Sequence, residues 1–485
     1  MLKQNILLCL FFLLLTAFYL RGVIGLRWDE GQHLHPDERF LTMVTNDIRI
    51  PDSLTTYLNS KKSPLSPYRK YGFFVYGTFP VFLTKIIANL TNYDNYDGIP
   101  IVGRIISSFF DTPKILLIFL IGSRLYNAQV GLLAAAFLSF CVLNIQLSHF
   151  YGVETQAAFF VALAFYLNTL ILEKGSLKYA ALGFKNKLFI FCLLGLSFGL
   201  TLSSKISTIY FLPIIFFITF FPLFGTLNLK IIFDKFIKLP SLKDVASLSC
   251  FLLITGVVTA FTFRFFQPYA FSGSSLLDFT LADKFVANMD EIRSAMKGAD
   301  MPPAIQWVNR TPVLFSLYNI VFWHTGFLLG VSIAAGMIFM LYEAIYKNKL
   351  INLLPLSWAV LWLLMQSTQF VKAGRYLSVA YPFFLLIAAY FLLHLSGIVK
   401  RKGNLIWLSV LAFTFFWALA FINIYLKPHP RVAASYWIYD NIPCGTALGN
   451  EHWDDGLPLR VGGKDGFGGC YKGIEFNHYW LDDDK

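Results

Sequence analysis

The sequence predicts an all-α polytopic membrane protein, and three observations carry that reading. Of 485 residues, 56% are hydrophobic and only 14% charged, too little polarity to cover an ordinary soluble domain, and the mean hydropathy is +0.59. The apolar residues gather into windows of about 20, the length that crosses a bilayer core as a helix. Finally, the basic residues behind the formal charge of +12 fall in short loops between those windows, as cytoplasmic loops do. They are not interleaved with aromatics on a polar face, so the positive balance does not indicate a nucleic-acid partner.

About eleven spans are expected, over 6–26, 101–123, 129–147, 154–172, 187–203, 206–225, 245–265, 313–342, 350–368, 376–397 and 405–426. With Lys3 inside, the cytoplasmic loops carry Arg124, then Lys174, Lys178, Lys185 and Lys187, then Lys230, Lys235, Lys238 and Lys243, then Lys347 and Lys349, then Lys400, Arg401 and Lys402. The alternate loops lack that bias, and one miscounted helix would turn every later loop inside out. The stretch 71–90 is apolar yet holds Gly72, Gly77, Pro80 and Lys85. Counted as a span it would put the lysine-rich loops outside, so it reads as an interfacial helix lying on the membrane. Residues 6–20 have the look of a signal-peptide core, but no small-residue cleavage site follows, and they read as an anchor.

This topology leaves three external regions, at 27–100, about 265–311 and 427–485. The expected organisation is a transmembrane domain over 1–426, which includes the first external loop at 27–100, and a small external tail over 427–485. In the tail, Tyr436-Trp437-Ile438-Tyr439 followed by Asn441-Ile442-Pro443 reads as a short helix and turn, with glycine-rich loops beyond. Cys9, Cys141, Cys192 and Cys250 fall in spans and read as packing residues. Cys444 and Cys470 both fall in the tail, where an oxidising compartment would permit a bridge, but sequence gives no distance between them. No internal repeat or zinc-ligand spacing is visible.

After the first span comes His35-Pro36-Asp37-Glu38. Pro36 suits the first position of a helix, and Asp37 and Glu38 would then lie in its first turn, where the macrodipole favours negative charge. From Asp37, the positions Leu41, Val44 and Ile48 recur at helical spacing, which indicates an amphipathic helix in the interface. The structural reading of these acids is a helix start. The functional one is a carboxylate at the outer surface that takes a proton from a hydroxyl or holds a divalent metal. Glu154 begins the fourth span on the same side. Lys205, in a short outer turn, and Lys372 and Arg375, in another, run against the topology bias. They bind an anionic group or snorkel to lipid phosphate, and Arg104, at the outer end of the second span, is open to both readings.

Acids at two helix mouths and bases at two others, all on one face, are what a transferase using a lipid-phosphate sugar would need. Outside the cytoplasm nucleotide sugars are unavailable, and a polyprenyl-phosphate carrier would serve as donor. Cations would stabilise the departing phosphate, a carboxylate would deprotonate the acceptor hydroxyl, and direct attack would invert the anomeric centre.

At these residues the chain also resembles the bacterial phospholipid-carrier-dependent glycosyltransferases of the C-type superfamily, which includes dolichyl-phosphate-mannose protein mannosyltransferases and aminoarabinose transferases. The likeness covers most of the chain. Beside His35-Pro36-Asp37-Glu38 it rests on Gly103-Arg104, Ser148-His149-Phe150-Tyr151, Lys372 to Tyr376 with Tyr381-Pro382, Trp437-Ile438-Tyr439 and Glu451-His452-Trp453-Asp454-Asp455, in the expected order. The resemblance implies a catalytic Asp37 with Glu38 beside it and a supporting acid at Glu154, where the family more often has Asp. It implies a phosphate site at Lys205, Lys372 and Arg375, with Arg104 a further candidate. His35, His149, His452 and Asp454 are candidates for the acceptor side or a supporting role. Some members use a divalent cation, so Mg or Mn at Asp37 and Glu154 stays open. The expected partners are the polyprenyl-phosphate sugar donor, membrane lipid and an acceptor glycan, lipid or protein. The expected place is the plasma membrane, with the site on the extracytoplasmic side. The alternative from another class is a transporter or lipid-linked glycan flippase, which would put ionisable residues deep within spans and often repeat its halves.

Overall fold

The computed structural model describes residues 2–224, 241–298, 306–399, 402–452 and 455–476. Of the positions singled out above, Lys230, Lys235, Lys238, Lys400, Arg401, Trp453 and Asp454 lie outside the described residues, as does the side chain of Lys3. Among the described residues, nine helices are long and apolar enough to cross a membrane, or ten if the bent pair Ala128–Ser139 and Val142–Ser148 forms one span. The chain is a multi-pass membrane protein. The remaining window, expected at 154–172, is the helix Glu154–Thr169 of 16 residues, about 24 Å long and so shorter than a hydrocarbon core of about 30 Å. The window at 313–342 is interrupted: Leu314–Asn319 and a π-helical turn Ile320–His324 precede the span proper, Phe327–Tyr346.

The span Gly374–Val399 lies at the centre, with the run from Tyr381 to Ala389 wholly enclosed. Peripheral helices show lipid their apolar side chains instead, such as Leu405 and Phe416 on Asn404–Ile422. The bend in the third span has a charged origin. Arg21 donates to the carbonyls of Leu138 at 2.7 Å and Ser139 at 2.8 Å, the orphan acceptors where Ala128–Ser139 ends. Asp111 holds that guanidinium at 2.7 Å and also pairs with Lys114, and all three residues are buried.

In the loop at 27–100, Pro36–Asp47 forms the expected amphipathic helix, and Leu41, Val44 and the following Ile48 pack with Phe74, Val81 and Phe82. Within 71–90 the helix is Thr78–Leu90, mostly apolar and, at 13 residues, too short to span. The tail contains the helix Pro430–Asn441 and a parallel pair of strands, Ala447–Glu451 and Lys472–Phe476, with Ala447 opposite Lys472. A disulfide joins Cys444 to Cys470, which settles the pairing that spacing left open. Asp455 fastens the tail to the first loop through Arg39, at 2.5 and 2.8 Å, and also meets Arg431 at 3.1 Å.

Candidate active site

The site begins at the first turn of Pro36–Asp47. His35 is the N-cap, its Nδ1 accepting from the Glu38 amide at 3.3 Å, with Pro36 at the first helical position. The two acids that follow then face different surroundings. Glu38 is fully buried and takes two bonds from Arg104, at 2.8 and 2.9 Å, and one from the Tyr151 amide at 3.0 Å. The other edge of Arg104 donates to both oxygens of Asp29 at 3.0 Å, and its guanidinium lies over Trp28. Burial pushes the Glu38 carboxyl up, whereas for Asp29 the opposing pull of Arg104 outweighs burial and lowers it. Gly103 makes this packing possible, because a Cβ there would stand 2.3 Å from the Tyr151 ring.

Asp37, one residue earlier, keeps 32% of its side chain exposed. It forms an ion pair with Arg375 and accepts from the Tyr76 hydroxyl at 2.8 Å. Arg375 lies over the ring of Tyr376, and Lys205 reaches the same ring, with Nζ 4.9 Å from its centre. Lys205 in turn pairs with Glu154 at 3.3 Å. Two acid–cation pairs from four separate segments thus meet around one tyrosine. Gly77 sets how closely they approach, since a Cβ there would fall 2.1 Å from the Ser203 carbonyl, in the turn that carries Lys205.

His35 borders this group with its ring on Phe150, 4.3 Å between centres. Burial and the positive field of Arg375 push its pKa down to about 4, so near neutrality the imidazole is uncharged and serves as the cap's acceptor. Lys372 turns its ammonium to the Phe370 carbonyl at 3.0 Å, and burial lowers its pKa. His149 sits beneath the loop, its ring nitrogens 2.7 Å from the Ile145 carbonyl and 2.9 Å from that of Ile24, stacked on Tyr425. His452 pairs with Glu475 beside the tail strands. The structure therefore joins Asp37, Arg375, Lys205 and Glu154, and joins Glu38 to Arg104 in a separate, buried cluster.

Asp29, Tyr76 and Tyr376 complete these clusters, although sequence reasoning assigned none of them a role. The only signal for Asp29 was an acid just past the first span; Tyr376 closed the motif that begins at Lys372, and Tyr76 carries none in a chain with 24 tyrosines. As for a divalent cation, among the described residues no group of three or more His, Cys, Asp or Glu side chains comes together. Asp37 and Glu154 each face a basic side chain instead. Two carboxylates are oxygen donors of the kind Mg or Mn takes together with waters and a substrate phosphate, and in this structure their charge is met by Arg375 and Lys205.

No protein-family model and no curated protein matches the sequence. Solved structures do resemble it. The oligosaccharyltransferase AglB from Archaeoglobus fulgidus, in complex with an inhibitory peptide and a dolichol-phosphate, superposes with a TM-score of 0.59 at 16% identity over 91% of this chain and 58% of that one. ArnT from Cupriavidus metallidurans, bound to undecaprenyl phosphate, gives 0.56 at 10% identity, over 93% of this chain and 83% of that one. The chain thus spans under two thirds of the length of AglB, and at such identities the likeness is one of fold. ArnT is of the kind the motif order resembled, and the chain has the polytopic fold that these membrane glycosyltransferases share.

Proposed function

We propose that this protein transfers a sugar from a polyprenyl-phosphate-linked donor to a hydroxyl acceptor at the outer face of the membrane, with inversion at the anomeric carbon. The observation that carries this reading is the pairing of Asp37 with Arg375 beside the pairing of Glu154 with Lys205. A phosphate monoester is a good leaving group and needs no strong acid. What it needs is positive charge where its own negative charge grows.

On this reading Arg375 and Lys205 bind the donor phosphate. Both are held by carboxylates in the resting protein, and an arriving phosphate competes for them. As Arg375 turns toward the phosphate, an oxygen of Asp37 is released to accept the proton of the acceptor hydroxyl, while Tyr76 keeps the other oxygen oriented. Donor binding thereby arms the base. Glu154 positions Lys205 in the same way. Glu38 and Arg104 act through structure: they fix the helix start that carries Asp37. Lys372, bound to the Phe370 carbonyl, borders the turn that presents Arg375. A divalent cation, where one binds, would be held by Asp37 and Glu154 and would add positive charge at the departing phosphate.

The transporter alternative gains one kind of observation, buried charges within the spans, among which Arg21, Asp111 and Lys114 lie together. Arg21 is consumed in capping a broken helix and Asp111 in holding Arg21 and Lys114, so these charges are accounted for by architecture. The test is a transfer assay on purified protein with a synthetic polyprenyl-phosphate sugar, following release of polyprenyl phosphate. Turnover by the native protein and none by Asp37→Asn is expected; equal turnover by both refutes the assignment.

A further inference from the structure

Two adjoining cavities, one of them walled in part by Asp29 and Arg104, differ in character. One, about 690 Å³, is walled by Leu83 and Ile87 of the interfacial helix and by Val102, Ile105, Ile106 and Phe109 of the second span. Ile105 and Phe109 are 43% and 63% exposed, and on a membrane span exposure of that kind faces lipid. The other, about 660 Å³, is walled by polar side chains, among them Arg27, Asp29, His33, Asn92, Asn95 and Asp97. Arg27, Tyr93 and Ile101 line both, so the apolar space on the bilayer side adjoins the polar, hydrogen-bonding one.

In the wall of the polar cavity, His33 is 7% exposed and its Nδ1 has no hydrogen-bond partner. Its Nε2 stands 3.2 Å from Asp97. With Nε2–H donating to that carboxylate, Nδ1 is left as an acceptor without a donor, which is costly; it is closed to water, so the ring must turn toward the cavity for a ligand to donate to it. The charge balance decides what kind of ligand. Arg104 is already consumed by Glu38 and Asp29, which leaves Arg27 alone against Glu30 and Asp97. A phosphate headgroup would meet net negative charge. Sugar hydroxyls would instead find carboxylate and amide acceptors, an imidazole nitrogen, and the half-exposed ring of Tyr93 to lie on.

We propose that these two cavities form a second lipid site, separate from the donor phosphate site, which takes a membrane lipid with an uncharged sugar headgroup. The tail occupies the space between the interfacial helix and the second span, and a headgroup hydroxyl donates to His33 Nδ1. The inference goes beyond the transferase reading and does not require it. A lipid held there lies against the Arg104 cluster, whose other member, Glu38, adjoins Asp37.

The test uses the full chain in phosphatidylcholine nanodiscs, with a monoglucosyl diacylglycerol or a phosphatidylglycerol, each carrying a photoreactive diazirine in one acyl chain. The glucosyl lipid is expected to label peptides within 83–109 about fivefold more than phosphatidylglycerol does, because a site built for hydroxyls leaves its polar groups unpaired with the wrong headgroup. Ile105→Trp, at an exposed position that tolerates bulk, is expected to cut that labelling about fivefold by filling the tail space, and His33→Leu to cut it similarly by removing the acceptor. Equal labelling by the two lipids, which would mark ordinary boundary lipid, overturns the proposal. So does labelling that neither substitution reduces. Asp37→Asn is expected to leave the labelling intact while abolishing transfer, so that failure of this site and failure of the transferase reading are read separately.

Discussion

Asp37 and Glu38 share one helical turn and one formal charge, yet they belong to two different regions. Around Glu38 every partner is fixed: a bidentate arginine and a backbone amide, with no solvent. Around Asp37 the partners are a tyrosine and an arginine that are both part-exposed, and the pair opens to water. Successive residues of a helix point about 100° apart, enough to send one carboxylate into the protein and the other to the mouth of the site. Charge on its own therefore does not mark a catalytic acid. What separates the two is whether the counter-charge can be exchanged.

The comparison breaks most cleanly on activity. Asp37→Asn is expected to lower transfer by about 10²- to 10⁴-fold, the range for removing a general base, while thermal unfolding in detergent hardly moves, since exposed pairs contribute about 1 kcal/mol or less. Arg104→Met is the mirror experiment. It leaves Glu38 and Asp29 buried without their cation, and a loss of about 3–5 kcal/mol of stability is expected, read as a lower unfolding midpoint and poor recovery of folded protein. If Asp37→Asn unfolds the protein, or Arg104→Met melts normally, the division between the two regions is wrong.

Much of the fold was legible because bilayer thickness writes itself into sequence as apolar length. The windows from 6–26 to 405–426 correspond to helices, and the interfacial reading of 71–90 corresponds to Thr78–Leu90. Averaging over such windows also conceals. Asp111 and Lys114 lie in the second span and Arg21 in the first, and their neutralising contacts with one another cannot be seen in a mean. The face of Pro36–Asp47 was read from Asp37 through Leu41, Val44 and Ile48, but the buried set is Glu38, Leu41, Thr42, Val44 and Thr45. That shift of one residue exchanges the surroundings of the two acids, and apolar periodicity cannot resolve it because the buried acid is held by a cation instead of by packing. Likewise, motif order placed Lys372 and Arg375 alike in one turn, while only coordinates show Lys372 on a backbone carbonyl and Arg375 on Asp37.

The open region is sharpened by its cations. Arg375→Gln is expected to reduce donor use about tenfold to a hundredfold, and Lys205→Gln somewhat less, mainly as a raised KM for the donor. Initial rates against donor concentration, at saturating acceptor, make the check. A fall in kcat at unchanged KM would remove these residues from phosphate binding and leave them only as holders of Asp37 and Glu154.

The smallest expected effect concerns His35, where the two regions touch. Its pKa in the folded protein is about 4, against 6.5 when free of the fold, because burial and Arg375 disfavour the imidazolium. Between those values the unfolded chain binds a proton that the folded chain refuses, so the stability associated with His35 is complete above about pH 6.5 and declines as pH falls toward 4. Protonation also ends the acceptance from the Glu38 amide that caps the helix, an interaction of a kind that contributes about 1 kcal/mol. His35→Asn keeps a capping acceptor and removes the titration. Its unfolding midpoint should therefore change less between pH 7 and pH 5 than that of the native protein, whereas parallel shifts in the two proteins would assign the acid sensitivity to another group.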